Sequence, residues 1–94
     1  MRDPSGAEIL LLARCLSRLP TEKRGHTAAA ILRDVEAAAM HLHHTGTLHP
    51  CLGDGSLMSR CHQLFPPPEP FASDRAFLDC IILSCATLIR HSRP

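Results

Sequence analysis

A group of potential metal ligands lies in the middle of the sequence. Imidazole nitrogen and thiolate sulfur are the usual protein ligands of zinc, and two of these residues, His41 and His44, are three apart and share one helix face. That face points away from the predicted core, and nothing in the spacing fixes a closed set of four ligands. We therefore predict no metal and no cofactor, with zinc kept as an alternative. The group consists of His41, His43, His44, His49 and Cys51.

A short loop with two glycines and an aspartate follows this group. It is similar in composition to phosphate-binding and calcium-binding loops, but it lacks the Lys-Ser/Thr of a P-loop and the repeated Asp or Asn of an EF-hand. Glycine reaches backbone conformations that other residues avoid, and serine is a common helix N-cap. We therefore expect a structural turn, with Leu57 and Met58 anchored in the core. The loop residues are Gly53, Asp54, Gly55 and Ser56.

Nucleophilic catalysis would require a cysteine or serine beside a histidine and an orienting acid. Cys61 and His62 are neighbours in the sequence, but consecutive side chains on a helix diverge by about 100°. The two groups therefore cannot act on one another. We predict that the protein is not an enzyme.

A basic patch surrounds the first interhelical turn and could contact phosphates or an acidic partner. Ten Lys and Arg residues against nine Asp and Glu residues leave a formal net charge of +1, so no overall electrostatic field draws the protein to DNA or to an anionic membrane. Contact with DNA would therefore depend on this patch, and a solvated surface is the alternative. The patch consists of Arg14, Arg18, Lys23 and Arg24.

The elements that position these residues are predicted to be helices. The 94 residues allow one domain, residues 1–94. The hydrophobic content of 45% includes three Phe and neither Trp nor Tyr, so the core must consist of mid-sized side chains that suit helix packing. The apolar period of 3.6 residues predicts an all-α fold. It is a small bundle of three main helices near residues 6–18, 22–44 and 74–91, with a short one near 57–64.

Helix ends carry recognisable signals. Ser5 and Glu8 match a capping box at the start of the first helix. Thr45 and Gly46 offer a left-handed stop for the second helix. The predicted N-caps of the remaining helices are Thr21, Ser56, and Ser73 or Asp74.

The apolar residues of the long helices define the predicted core. They are Ile9, Leu12, Cys15, Leu16 and Leu19 in the first helix, Ala28, Ile31, Leu32, Val35, Ala38, Ala39 and Leu42 in the second, and Phe77, Leu78, Ile81, Ile82, Cys85, Leu88 and Ile89 in the last. Four other residues lie off these faces and predict an interface between subunits, with plain helix-forming alanines as the alternative. These four are Ala29, Ala37, Met40 and Leu83.

A proline-rich strap, residues 65–71, joins the last two helices. Four prolines in seven residues predict an extended, polyproline II segment. We expect it to cross the surface with Phe65 and Phe71 as its anchors. A PxxP ligand for another protein is the alternative.

Targeting features point to the cytoplasm. The N-terminus lacks the basic and apolar regions of a signal peptide. The longest apolar run, residues 9–13, is far short of the roughly 20 residues that span a bilayer. Five cysteines without a C-x-x-C pair indicate reduced, structural thiols.

The central loop and its neighbours also carry a resemblance to a known family. An Ala-rich helix is followed by Thr-Gly, His49-Pro50, the segment Gly-Asp-Gly-Ser-Leu-Met at residues 53–58, a Pro-Glu-Pro strap and an apolar last helix. This arrangement, over most of the chain, resembles the small terminase subunits of alphaproteobacterial gene transfer agents, which are phage-like particles that package host DNA. The His-Pro and Gly-Asp-Gly-Ser-Leu-Met pieces are its specific parts.

The resemblance implies a non-enzymatic packaging adaptor. Such a protein forms a homo-oligomer, with a ring as the expected assembly, and brings DNA and the ATP-hydrolysing large terminase subunit together. It would contact DNA weakly and without strong sequence preference, and would not bind a membrane. The alternative is a small regulatory protein-binding module of the anti-activator or toxin-neutralising type.

Overall fold

The computed structural model describes residues 3–71 and 73–92. Four helices account for most of this range: α1 (Gly6–Ser17), α2 (Thr21–Thr45), α3 (Leu57–His62) and α4 (Arg75–His91). Across the described residues there is no strand, and one isolated bridge joins His49 and Gly53. The predicted all-α bundle of three main helices and one short helix is confirmed. None of the described helices combines the length and the apolar composition needed to cross a membrane.

Most of the predicted helix ends are confirmed. The Ser5 hydroxyl accepts a hydrogen bond from the Glu8 amide at 3.2 Å, which completes the capping box of α1. Gly46, with φ of 71°, ends α2 in the left-handed conformation. Ser56 and Asp74 cap α3 and α4 through their side chains.

The predicted cap at Thr21 is wrong. Helix α2 already includes Thr21, and its N-cap is Pro20, which has no side-chain hydrogen bond to the helix. Pro20 itself holds the non-helical φ and ψ of −57° and 146° that a cap position requires. The chain therefore enters the helix one residue earlier than the threonine signal predicts.

One cluster of buried side chains joins the four helices. The predicted core residues of α2 between Ala28 and Ala38 are buried, as expected, whereas Leu42 near the end of α2 is exposed. Helix α1 buries Leu11 and Ala13 in addition to the predicted Leu12, Cys15 and Leu16, whereas the prediction of Ile9 as a core residue is wrong, since it is only half-buried. The core consists of Leu11, Leu12, Ala13, Cys15, Leu16, Ala28, Ile31, Leu32, Val35, Leu57, Cys61, Phe77 and Cys80.

The predicted core face of α4 is wrong for three of its large residues. Leu78, Ile82 and Ile89 are 42%, 66% and 58% exposed. A second face, centred on Cys80 and Ser84, packs into the core instead. Both residues are small and fully buried, so α4 can approach the rest of the bundle closely.

The buried face of α4 also contains polar groups that are satisfied within the helix. The Ser84 hydroxyl donates to the Cys80 carbonyl at 2.8 Å, and the Thr87 hydroxyl donates to the Leu83 carbonyl at 2.7 Å. Leu83 is half-buried and packs against the core. The expectation that Leu83 lies off the core is therefore wrong.

The strap is held by arginines rather than by its aromatic residues. Phe65 and Phe71 are 80% and 88% exposed, so their predicted role as anchors is wrong. Instead, Arg14 Nε of α1 donates to the Pro67 carbonyl at 2.8 Å, and Arg18 donates to the Phe65 carbonyl. Hydrogen bonds from charged donors are stronger than neutral ones. The strap is thereby fixed to α1 with both phenylalanines facing outward.

Glu8 connects the starts of two helices. Its carboxylate is buried, with Oε1 accepting from the Ser5 amide at 3.1 Å and Oε2 accepting from the Met58 amide at 2.9 Å. The Met58 amide belongs to the first turn of α3, where backbone N–H groups have no partner within the helix. One carboxylate thus caps α1 and α3 together.

Replacing Glu8 should therefore destabilise the fold. In Glu8→Ala both amides lose a charged acceptor, and we expect the free energy of unfolding to fall by about 3 kcal/mol. Urea denaturation followed by circular dichroism measures this loss. Glu22→Ala, which removes an exposed acid from the first turn of α2, is the matched control and should cost less than about 1 kcal/mol. Equal stabilities of the two variants would contradict the bridging role of Glu8.

Candidate functional site

The central loop is built around Asp54 and Ser56. Asp54 Oδ1 accepts from the Ser56 amide at 2.9 Å and from the Ser56 hydroxyl at 2.6 Å. Ser56 Oγ in turn accepts from the Ser59 amide at 3.1 Å, which makes it the N-cap of α3. Leu57 is buried in the core, but Met58 is exposed, so the predicted anchoring is right for Leu57 and wrong for Met58.

Both loop glycines have positive φ and close neighbours. Gly55 has φ of 91°, and a Cβ added there would lie 2.8 Å from the Ala39 Cα of α2. Gly53 has φ of 88°, and its added Cβ would lie 2.5 Å from Ser59 Oγ. Only glycine fits a left-handed backbone that touches another chain segment. The loop therefore packs its own backbone against α2 and α3.

Four of the histidines near the loop lie in two separate pairs. His41 and His49 rings meet edge to face with centroids 5.1 Å apart, as do His43 and His44 at 5.4 Å. His49 Nδ1 accepts from the Cys51 and Leu52 amides, both at 3.0 Å, which fixes its ring as part of the turn. Among the described residues, no three His, Cys, Asp or Glu side chains converge on a point where a metal ion could bind.

A serine, a histidine and an aspartate border one pocket of about 440 Å³ between α2 and the loop. Ser56, His43 and Asp54 are the residue types of a catalytic triad. The required serine-to-histidine hydrogen bond is not made, since the Ser56 hydroxyl donates to Asp54. Its oxygen is occupied by the Ser59 amide. The Ser56 and Asp54 oxygens that catalysis would need are therefore hydrogen-bonded in the cap of α3.

Three of the four residues of the predicted basic patch donate to backbone carbonyls. Arg14 and Arg18 hold the strap, as described above. Arg24 Nε donates to the Leu19 carbonyl at 3.0 Å and its Nη2 donates to the Ser17 carbonyl at 3.4 Å. These carbonyls end α1, where the last C=O groups lack helical partners. Lys23 is exposed at the start of α2.

The residues predicted to form a subunit interface lie in different environments. Ala37 and Met40 are exposed on α2, and Ala29 is half-buried beside α4. Leu83 packs against the core of its own chain. The four therefore do not form one surface.

Helix α4 carries an exposed apolar stripe that its periodicity did not predict, formed by Leu78, Ile82, Cys85 and Ile89. The three large aliphatic side chains are those assigned to the core by their periodicity, and Cys85 between them is half-buried. The signal that could have revealed the stripe is the presence of apolar residues on two faces of α4. One face of such a helix is left without a partner in its own chain.

The cysteines are free thiols in two environments. Cys15 and Cys61 are buried between α1 and α3, and the Cys15 thiol donates to the Cys61 carbonyl at 3.5 Å. A separate contact between the two thiol side chains lowers the pKa of Cys15, and neighbouring Arg18 and Arg14 act in the same direction. The same contact and burial raise the pKa of Cys61. Cys80 is also buried, which raises its pKa.

Two glycines with positive φ, Gly55 packed against α2 and Gly46 with open space around it, provide a matched pair of variants. Gly55→Ala combines positive φ with a clash against the α2 backbone, so it should cost about 2 kcal/mol or more. Gly46 also has positive φ, 71°, but nothing lies within 4 Å of a Cβ added there by Gly46→Ala. This variant should cost only about 1 kcal/mol. Thermal unfolding of both proteins measures the difference, and equal costs would argue against close packing of the loop on Ala39.

Thiol reactivity should follow burial. With a water-soluble aromatic disulfide reagent at low protein concentration, Cys51 and Cys85 should react quickly in the native protein, because Cys51 is exposed and Cys85 is partly so. Cys15, Cys61 and Cys80 should react only when the chain unfolds. Mass spectrometry of the labelled protein identifies the modified residues. Rapid native labelling of Cys61 would show that α3 opens readily from the bundle.

Comparison with known proteins identifies the family of this chain. A family model described as a domain of unknown function, DUF7742, matches residues 6–88. That range begins with α1 and includes the central loop, the strap and nearly all of α4. No curated protein and no solved structure matches the chain. Because the match covers most of its length, the chain belongs to the DUF7742 family.

Proposed function

We propose that this protein is a non-enzymatic helical adaptor that associates with copies of itself and with partner proteins. The observation that carries the proposal is the exposed apolar stripe of α4, defined above, together with the outward-facing Phe65 and Phe71 of the strap. Contiguous exposed apolar residues on a small protein are typical of interaction surfaces. The protein would need no cofactor for this role.

The use of the polar groups supports a binding role over a catalytic one. Glu8, Asp54 and Ser56 are hydrogen-bonded to backbone amides at helix starts. Arg14 and Arg24 are hydrogen-bonded to backbone carbonyls. These side chains stabilise the fold, whereas the exposed side chains of α4 and the strap include the large apolar residues Leu78, Ile82, Ile89, Phe65 and Phe71.

The specific role that we propose is that of a small terminase in DNA packaging. The resemblance to the small terminases of gene transfer agents supports it, and the residues that carry this resemblance form the compact loop that positions α3. In this role the homo-oligomer, with a ring as the expected assembly, recruits the large terminase subunit to DNA in the cytoplasm. Five free thiols are typical of such a reducing compartment.

Contact with DNA would be weak in this role. Arg14, Arg18 and Arg24 already donate to carbonyls, although Arg18 remains at the surface, and Lys23 is exposed. Within this patch few cations are left to neutralise phosphates, which predicts a shallow dependence of affinity on salt. Most of the specificity for DNA would then come from the large subunit.

A regulatory module that binds one target protein is the second candidate. The exposure of both phenylalanines on a proline-rich strap favours it, since extended proline-rich segments bind aromatic grooves on other proteins. The alternative predicts a monomer or dimer that forms a one-to-one complex. The packaging role predicts a larger assembly.

The test is the mass of the purified chain alone and after mixing with the large terminase subunit of a gene transfer agent. Light scattering coupled to size-exclusion chromatography should show a discrete homo-oligomer and a stable joint complex. The ATPase rate of the large subunit on DNA should change when the complex forms. A monomeric chain that leaves both the mass and the ATPase rate of the large subunit unchanged would refute the packaging role.

A matched pair of variants locates the partner surface. Phe71→Ser removes an exposed aromatic residue of the strap and should weaken the joint complex if the strap contacts the large subunit. Leu48→Ser removes an exposed apolar residue from the segment between α2 and α3 and serves as the control. Both should leave the melting temperature nearly unchanged, since exposed side chains contribute little to folding.

A further inference from the structure

The α4 stripe has a symmetric spacing. Its members, Leu78, Ile82, Cys85 and Ile89, are separated by four, three and four residues. At about 100° per residue they fall within a narrow sector of the helix. The order of spacings is the same in both directions along α4, so the stripe is symmetric about a point between residues 83 and 84.

Such a stripe is complementary to itself when two copies of α4 pack antiparallel. A two-fold axis through the midpoint sets Leu78 of one copy opposite Ile89 of the other. It also sets Ile82 opposite Cys85, and each contact occurs twice. A two-fold interface requires this kind of self-complementary surface.

The charges beside the stripe specify the antiparallel arrangement. Asp79 and Arg90 are exposed and lie on the same side of the stripe, whereas Ile81 and Leu88 lie on the other side. In an antiparallel pair each side meets the same side of the second helix. Asp79 therefore faces Arg90 of the second copy, and the apolar sides face one another. A parallel pair would set Asp79 against Ile81 and Leu88.

We propose that the α4 stripe is the contact surface for a second copy of this chain, paired antiparallel about a two-fold axis. The inference rests on the self-association in the proposed function and identifies the residues that perform it. The surface of α2 around Ala37 and Met40 is then available for contacts between such dimers in a larger assembly.

The area of the stripe sets the strength of the pair. Its three aliphatic side chains expose on the order of 300 Å² per copy, which is in the range of functional patches on monomers. A standard interface buries about 800 Å² from each partner. The α4 pair alone should therefore be a reversible, concentration-dependent dimer that becomes stable when other contacts add to it.

Charge exchange tests the pairing directly. In sedimentation equilibrium of the full chain at low salt, Asp79→Arg and Arg90→Asp should each raise the dimer dissociation constant about tenfold, because like charges then face one another. The double variant Asp79→Arg, Arg90→Asp should recover most of the affinity. This exchange opposes the helix dipole, so its recovery cannot come from a more stable α4.

Apolar variants separate this inference from the broader proposal. Ile82→Glu should abolish the α4 dimer, whereas Met40→Glu, an exposed apolar position on α2, should leave it intact. Protection of the Cys85 thiol should increase with protein concentration in Met40→Glu and be lost in Ile82→Glu. Circular dichroism establishes that both variants are folded.

Two results would overturn the inference. If the chain self-associates but Ile82→Glu has no effect, or the exchanged charges fail to recover affinity, the α4 pairing is wrong while the adaptor role stands. If the wild-type chain stays monomeric at every concentration and with the large subunit present, both proposals fail together.

Discussion

The buried carboxylate of Glu8 is the interaction on which the rest of the structure depends. A charge removed from water needs several hydrogen-bond donors, and Glu8 takes the amides of Ser5 and Met58, at the starts of α1 and α3. The bond to Met58 spans 50 residues of the sequence and fixes where α3 begins. The central loop must therefore close tightly between α2 and α3. This closure explains why the Gly55 backbone touches Ala39.

The arginines of α1 impose a second long-range constraint. Arg14 reaches the strap 53 residues later in the chain and holds it by a backbone carbonyl rather than by a side chain. The strap can therefore be fixed to the bundle while Phe65 and Phe71 remain exposed. The arginines that the sequence predicted as a DNA-contacting patch thus stabilise the fold. The two phenylalanines that it predicted as anchors of the strap are exposed to solvent instead.

Helix α4 shows the same exchange of roles within one element. Its buried face includes two small residues, Cys80 and Ser84, that allow it to approach the rest of the bundle closely. Three of its large aliphatic residues, Leu78, Ile82 and Ile89, face outward, although burial of each would contribute about 1.5–3 kcal/mol. Close contact between helices thus outweighs the size of the side chains in the choice of face. The residues left outside gain burial only from another molecule, which is the physical basis for the proposed association.

The sequence by itself determined the all-α fold, the positions of the four helices and most of their caps, because these depend on residues three or four positions apart. The capping box at Ser5, the left-handed stop at Gly46 and the cap at Ser56 are signals of this kind. It also determined the buried face of α2 from Ala28 to Ala38, although it wrongly extended that face to Leu42. For α4 the sequence offered two apolar faces, and periodicity alone cannot choose between them.

Only the tertiary structure decided which face of α4 is buried. It also decided the roles of Glu8, Arg14, Arg18, Met58 and the two strap phenylalanines. Each depends on segments about 50 residues apart in the chain meeting in space. Leu83, which was predicted for a subunit interface with Ala29, Ala37 and Met40, packs against its own core for the same reason. Local spacing specifies which residues share a helix face, but only packing against the other helices specifies which face is buried.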